Sequence, residues 1–324
     1  MSRAYGWNAE LLLGFETIYG KAPGSFHQVP FVSSSIDSEQ GLIESNVLGL
    51  GRDPTSPFRD IINIDGDIVV PIDLRNIGYW LKAIFGDYSV VKTESYMHTF
   101  KSGASFIPSL SLEIGLPNVP EYILFSGVRA NSIALDFGRS GEAKATINLI
   151  GQSESSNESS SDTNPNKVIY TRFSQFQGAI KQRGKALADV TGASLTYSNN
   201  LEKIETIRDD GKLDGIDLGI ASLTGSISVR YGDSSLMDIA RMGEAIDIEL
   251  SYTIDEKNKL KFTAHQVYLP KPKRSITGPG GVEVSYDFQG AKHEGLGNML
   301  DVILINDVED YDVKTNNSKG SLFG

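Results

Sequence analysis

The chain has 324 residues, 40% of them apolar and 22% charged, enough to bury a core in each of two domains of ordinary size. It contains no cysteine, which excludes disulfides, thiolate metal sites and cysteine nucleophiles and leaves packing and assembly to hold it together. Thirty Lys and Arg against 41 Asp and Glu give a net charge of −11, the wrong sign for a protein that grips nucleic acid by neutralising phosphates.

Near the N-terminus, Leu11 to Leu13 form the only uninterrupted apolar run. It is too short for a secretory h-region, and no stretch approaches the length of a membrane span. The expectation is a protein made and kept in a cytoplasm, or released from one by lysis. Ile77, Trp80, Leu81, Ile84 and Phe85 follow the i, i+3, i+4, i+7, i+8 spacing of an amphipathic helix, with Asp73 and Asn76 as candidate N-caps. An insertion from 87 to 107 follows it. Ile133, Leu135 and Phe137, then Ala143, Ala145, Ile147 and Leu149, alternate with polar residues across a glycine turn, the pattern of a half-buried β-hairpin. Residues 151–167 are rich in Ser, Asn, Asp and Pro with no large apolar side chain before Val168, and read as a solvated loop. A further hairpin is expected from Phe173 to Leu195, with Gly184 in its turn and Lys181, Arg183 and Lys185 near its tip. Leu236, Ile239, Ala240 and Gly243 repeat the helical spacing behind Asp233 and Ser234, and alternation returns over Ile246–Ile254 and Val282–Phe288. The polar stretch after Asn306 reads either as a frayed tail or as an arm that orders on a neighbouring subunit.

These elements occur twice. At a shift of 159 positions Ile36 falls on Leu195, Leu42 on Leu201, Ile64 on Leu223, Gly66 on Gly225, Ile68 on Ile227 and Val70 on Val229. From Leu112 to Ile147 is 35 positions and from Leu250 to Tyr286 is 36, so the later strands repeat with a one-residue slip. The expected fold is mainly β: two tandem duplicated β-sandwich or barrel domains, residues 1–150 and 168–324, each with one short amphipathic helix, joined by the 151–167 linker.

Chemistry is sparse. His27, His98, His265 and His293 are isolated, without metal-ligand spacing, and no G-x-S-x-G is present. The strings at 49–51 and 278–281 read as turns rather than phosphate cradles. Asp209–Gly215 has adjacent aspartates and an early Gly211, and fits a turn better than a calcium loop. Lys271–Arg274, with prolines at 270 and 272, reads as a stiff, solvated extended loop, and the acids from Asp307 to Asp312 as a solvated tail. No catalytic, cofactor or metal site is expected.

The run from Gly14 to Pro30, Ile61 to Asp73 with Phe85–Tyr88, and the stretches 193–240 and 268–291 resemble the major tail tube proteins of tailed phages and prophages. The resemblance implies β-sandwich or barrel subunits that close into rings, the rings stacking into a hollow tube through which double-stranded DNA leaves the capsid. It implies no cofactor and no turnover. Its implied partners are further copies of the chain, tail tip or baseplate and terminator proteins, a tape measure protein in the lumen during assembly, DNA in passage, and a sheath if the tail is contractile. It places the protein in the virion, after assembly in the host cytoplasm. Related rings hold six single-domain subunits, so two domains per chain suggest three chains in a pseudo-hexameric ring, with six chains as the other arrangement. Phe173, Lys181, Arg183, Lys185, Tyr96 and Phe100 are the candidate inter-ring contacts. A tandem β-sandwich adhesin or carbohydrate-binding module is the competing reading; it requires a platform of exposed aromatics.

Overall fold

The alternating segments form strands in the computed structural model. It describes residues 3–48, 51–138, 140–173, 178–182, 184–186, 190–206, 212–232, 234–274 and 280–312, without the side chains of 178–182, 185 and 186. After a 3-10 turn (Gly6–Asn8) come β1 (Glu10–Phe15), β2 (His27–Gln28), β3 (Ser33–Ser34), β4 (Asp37–Ile43) and β5 (Phe58–Pro71). The helix α1 (Ile77–Phe85) precedes β6 (Tyr88–Lys92), β7 (Tyr96–Lys101), β8 (Leu110–Leu116), β9 (Glu121–Gly138), β10 (Lys144–Gly151), β11 (Ser153–Asn157) and β12 (Asn166–Lys167). The second half runs β13 (Gly178–Gln182), β14 (Lys185–Ala186), β15 (Val190–Ser198), β16 (Glu202–Ile204), β17 (Gly215–Asp217) and β18 (Ser222–Arg230). It ends with α2 (Ser235–Met242), β19 (Ile246–Asp255), β20 (Asn258–Tyr268), β21 (Glu283–Gly290) and β22 (Leu300–Asn306).

Both helices stand where their spacing puts them. Ile77, Trp80, Leu81, Ile84 and Phe85 of α1 are all buried. Its start is held by Asp73, whose carboxylate accepts from the backbone N–H groups of Asn76 and Ile77, each at 3.0 Å, while Asn76 itself makes no side-chain cap. In α2, Leu236, Met237 and Ala240 are buried, and Gly243 is the left-handed C-cap at φ 67° rather than part of the apolar face. The Ser234 hydroxyl makes no cap bond to the helix backbone and instead donates to the Asp238 carboxylate at 2.7 Å, and Asp233 lies outside the described residues.

The pairing registers repeat as the sequence does. Asp37 faces Asp65 and Ile43 faces Phe58; 159 positions on, Thr196 faces Thr224 and Glu202 faces Asp217. Ile147 faces Ile68, and Tyr286 faces Ile227. Leu112 faces Phe125, and Leu250 faces Phe262. One glycine recurs for a steric reason. A Cβ on Gly66 would lie 2.5 Å from the Ser35 carbonyl oxygen, and one on Gly225 would lie 2.2 Å from that of Ser194, the residue 159 positions after Ser35.

Backbone pairing crosses between the halves. The long β9 bends: residues up to Val128 pair with β8 and β11, and the rest with β10 on one side and β15 on the other. Gly192 to Ser198 face Gly138 to Ser132, so a strand of the second half extends a sheet of the first. A further join pairs β22 with β7, from Asp301 opposite Lys101 to Asn306 opposite Tyr96. The core is accordingly one buried cluster that includes Leu13, Ile68, Trp80, Ile147, Leu195, Ile227, Phe262 and Tyr286.

Two loop expectations change. The segment 151–167 is not a free linker: β11 pairs with β9, β12 runs parallel to β2, and Ser160 Oγ and the Ser161 N–H donate to the buried Glu113 carboxylate at 2.6 and 2.7 Å. It contributes hydroxyl and backbone groups in place of apolar side chains, which is why composition read it as loop. The acidic stretch after Asn306 is ordered on its own chain as far as Asp312, where Lys82 and Tyr88 hold it.

Candidate assembly interface

Among the described residues no three His, Cys, Asp or Glu side chains lie close enough to hold a metal ion, and no helix is long and apolar enough to cross a membrane. The histidines are dispersed: His27 packs on Tyr79 at 4.3 Å, His98 is buried, and His265 Nε2 lies 3.1 Å from Asp301. The features that stand out are a seam, an arm and a latch.

The seam is the β9–β15 join. Its opposed side chains are small and neutral towards its open end, Ser198 with Ser132 and Thr196 with Ala134. Asn131 and Asn199 close that end: the Asn199 N–H donates to the Asn131 carbonyl at 2.8 Å, and the Leu201 N–H to Asn131 Oδ1 at 2.9 Å. The β16–β17 extension beyond Ser198 lies on the first half. Leu213 and Ile216 are buried with Ile150, Gln152 Nε2 donates to the Leu213 carbonyl at 2.8 Å, and Lys203 Nζ reaches Asp65 at 2.9 Å. Arg129 donates to the Ile216 carbonyl as well.

The arm is the equivalent extension of the first half, β4 and the outer part of β5, and it stands in solvent. Leu42 is 67% exposed, Leu48 94% and Phe58 56%, and Val47, Ile61 and Ile62 are exposed as well. Among the described residues β4 pairs only with β5, so its outer edge is bare. With Ile43, seven large apolar side chains on one protrusion mark an interaction surface rather than scattered surface residues.

The latch is the end of the described chain. Tyr311 is fully buried against α1, lying edge-on to Tyr79 at 5.1 Å, and its hydroxyl accepts from Asn306 Nδ2 at 2.7 Å. Arg75 holds Asp307 through two bonds of 2.6 and 2.8 Å, Lys82 pairs with Asp312, and the Tyr88 hydroxyl donates to Asp310 at 2.5 Å. The Arg75 guanidinium holds the Asp307 carboxyl below its ordinary range. Burial works against ionisation of Asp310, but the hydroxyl of Tyr88 and neighbouring N–H donors outweigh it and hold that pKa low too. Burial holds the His98 imidazole below its usual value, although its Nε2 lies 2.8 Å from the Val308 carbonyl.

The predicted contact residues are not brought together. Phe100 is fully buried, opposite Val302 and stacked on Tyr88 at 4.9 Å, and Phe173 is fully buried with its ring 5.9 Å from that of Tyr252. Neither side chain is at a surface: the 87–107 insertion that carries Phe100 is stitched into the sheet by β22, and Phe173, whose N–H donates to the Ile72 carbonyl at 3.0 Å, is part of the main core. Tyr96 is half-buried at the β6–β7 turn, with Lys92 Nζ 5.2 Å from its ring. Lys181 and Lys185 sit in the short β13–β14 hairpin around Gly184, with side chains outside the described ones, and Arg183 lies outside the described residues. The first-half counterpart of that hairpin starts at β1, since β1 pairs with β8 as β13 pairs with β19. In Asp209–Gly215, residues 209–211 lie outside the described residues and Leu213 is packed in the seam; 49–50 and 278–279 are likewise outside. Trp80 is buried and Trp7 is 81% exposed beside an open groove of about 660 Å³ lined by Val29, Phe31 and Tyr170.

The β-rich architecture, the bare strand edge and the apolar arm are the equipment of a protein that assembles. A comparison with curated proteins gave no match. The family model described as phage tail tube protein matches residues 6–290, across both halves and the seam between them. The chain therefore belongs to the phage tail tube protein family and is a structural tail tube protein, not a member of an enzyme family.

Proposed function

We propose that the chain polymerises into stacked rings that form a hollow tail tube, the conduit for double-stranded DNA leaving the capsid. Each chain contributes two equivalent units, residues 1–150 and 168–324, so that three chains complete a pseudo-hexameric ring. The observation that carries this reading is the seam: one unit already receives a strand of the other, with pairing registers that repeat at a fixed offset, so the same geometry can propagate from chain to chain. Closure of such a ring removes the bare edges. A net charge of −11 disfavours phosphate contacts that would hold passing DNA in place. Assembly takes place in the host cytoplasm around a tape measure protein, between tip and terminator proteins, with a sheath outside if the tail contracts.

Negative-stain electron microscopy across a range of concentrations tests this. Rings or hollow tubes are expected, with a ring mass of three times 35.2 kDa. Six chains per ring would overturn the pseudo-hexamer, and single particles at every concentration, including with tail tip complexes added as initiator, would overturn the tube. A carbohydrate-binding reading has one observation behind it, exposed Trp7 with Tyr5 at 6.2 Å. Saturable glycan binding that is lost in Trp7→Ala would favour that reading.

A further inference from the structure

The internal seam also specifies where a second copy of this chain joins. Arg129 and Ala130 of β9 face Ile150 and Leu149 of β10. In the second half Tyr268 faces Gln289 of β21, and Ile147 and Tyr286 occupy matched positions 139 apart. Residue 129 thus corresponds to 268, and the β9 segment that receives β15, beginning at Ser132, corresponds to the segment beginning at Lys271. Burial supports this alignment. Val128 and Ala130 are buried, two less buried residues follow at the β9 bulge, and Ile133 is buried again. Val267 and Leu269 are buried, Pro270 and Lys271 are exposed, and Pro272 turns half-inward. Pro270 falls on the bulge position, where a missing N–H is tolerated. In the described chain Lys271–Arg274 pairs with no strand.

The segment equivalent to β15 is 31–39, by the shared offset of 159, and it ends on Asp37–Glu39 at the start of β4. Carrying the seam register across places Glu39 of one copy opposite Lys271 of another, and Asp37 opposite Lys273. All four side chains belong to exposed residues. We infer that the start of β4 of one chain adds antiparallel to Lys271–Arg274 of a second copy, and that these two opposite-charge pairs key the join. This inference rests on the ring assembly proposed above and names its contact. Directly opposed residues on one face of an antiparallel pair have Cβ atoms about 5 Å apart, within reach of an ion pair. In the internal seam the Asn199 N–H bonds the Asn131 carbonyl, so Ser132 and Ala134 point their own N–H groups away from β15. By the same register Pro270 and Pro272 offer the join carbonyls alone, to which the incoming strand donates, and Lys271 and Lys273 meet Glu39 and Asp37 as the closer, non-hydrogen-bonded pairs. The same superposition lays the apolar arm of one chain over β21 and β18 of the next, with Leu42 where Leu201 sits in the internal seam. The internal seam is neutral at the equivalent positions, so the charges are particular to the join between chains.

The test exploits the absence of native cysteine. Glu39→Cys with Lys271→Cys in the full chain, oxidised after assembly, is expected to give disulfide-linked species whose ladder ends at the number of chains in the ring. Rings or tubes that form but stay unlinked would overturn the join while leaving the tube reading intact. In a second arm, Lys271→Glu with Lys273→Glu is expected to raise the concentration needed for assembly about tenfold. Adding Asp37→Lys and Glu39→Lys to the same chain restores it. Failure of the fourfold variant to regain assembly, with its monomer folded by circular dichroism, also overturns the charge key. A parent chain that never assembles overturns the tube itself.

Discussion

Gly78 and Tyr311 are 233 positions apart and occupy one space. A Cβ on Gly78 would lie 2.0 Å from Tyr311 Cζ, so the ring of Tyr311 lies flat on α1 only because residue 78 has no side chain. Removing the fully buried ring in Tyr311→Ala leaves a large cavity and takes one acceptor from Asn306 Nδ2, which keeps its bond to the Leu74 carbonyl, at a cost of about 4 kcal/mol. Gly78→Ala gains about 1 kcal/mol in helix propensity but expels the ring or shifts the helix, for a net loss of about 3 kcal/mol. If the two residues compete for one volume, the double variant costs about 3 kcal/mol, well short of the sum of about 7, because the methyl group added at position 78 then fills part of the space the tyrosine ring left. Urea unfolding of dilute, unassembled protein measures this, with the buried Trp80 of α1 as fluorescent reporter in a Trp7→Phe background. Additive losses would refute the argument that the latch is seated by the glycine.

Three further outcomes follow from the same geometry. Gly66→Ala and Gly225→Ala each press a Cβ onto the backbone of the preceding strand, and each should cost about 3 kcal/mol in the same unfolding assay; a tolerated alanine at either position would break the equivalence of the two halves. The latch should loosen in acid. His98 has a lowered folded pKa, so its contribution is complete above about pH 6.5 and is lost as pH falls through the folded value; Asp307 and Asp310 are also lowered, and theirs is complete above about pH 4 and lost below it. Hydrogen exchange of residues 300–312 from pH 7 to pH 3 should accelerate in that order, and protection rising in acid would contradict it. Deleting 87–107 should leave the chain insoluble, since β7 and Phe100 are part of the core, whereas replacing Thr93–Ser95 with a two-residue turn should change urea stability by less than about 1 kcal/mol.

What the sequence disclosed and what it withheld divide along one physical line. Periodicity reports burial within an element. It located α1, α2 and the strands around Ile147 and Tyr286, and the matched glycines at 66 and 225 reported a backbone approach that the structure contains. Contacts that depend on which segment arrives opposite have no period. Tyr311 sits in a polar, acidic stretch and is buried because Gly78 receives it; Glu113 is buried because Ser160 and Ser161 satisfy it. Phe100 has the look of an exposed insertion residue until β22 covers it. The arm was hidden for the opposite reason: as apolar residues Leu42, Phe58, Ile61 and Ile62 look no different in sequence from core residues, and only the fold places them in solvent.

A duplicated chain on this reading makes two kinds of junction with one geometry. The junction inside the chain is held by covalent connection, at an effective concentration set by the intervening residues, and needs little from its side chains beyond fit. Ser132, Ala134, Thr196 and Ser198 provide that and no charge. The junction between chains has to find its partner by diffusion and to reject a second copy of the internal edge, and at the matched positions it carries Asp37, Glu39, Lys271 and Lys273. Exposed opposite charges contribute modestly to the strength of a formed contact and more to encounter rate and register. Salt should therefore slow the growth of rings while leaving the fold of each chain untouched, a separation that a neutral junction between chains would not produce.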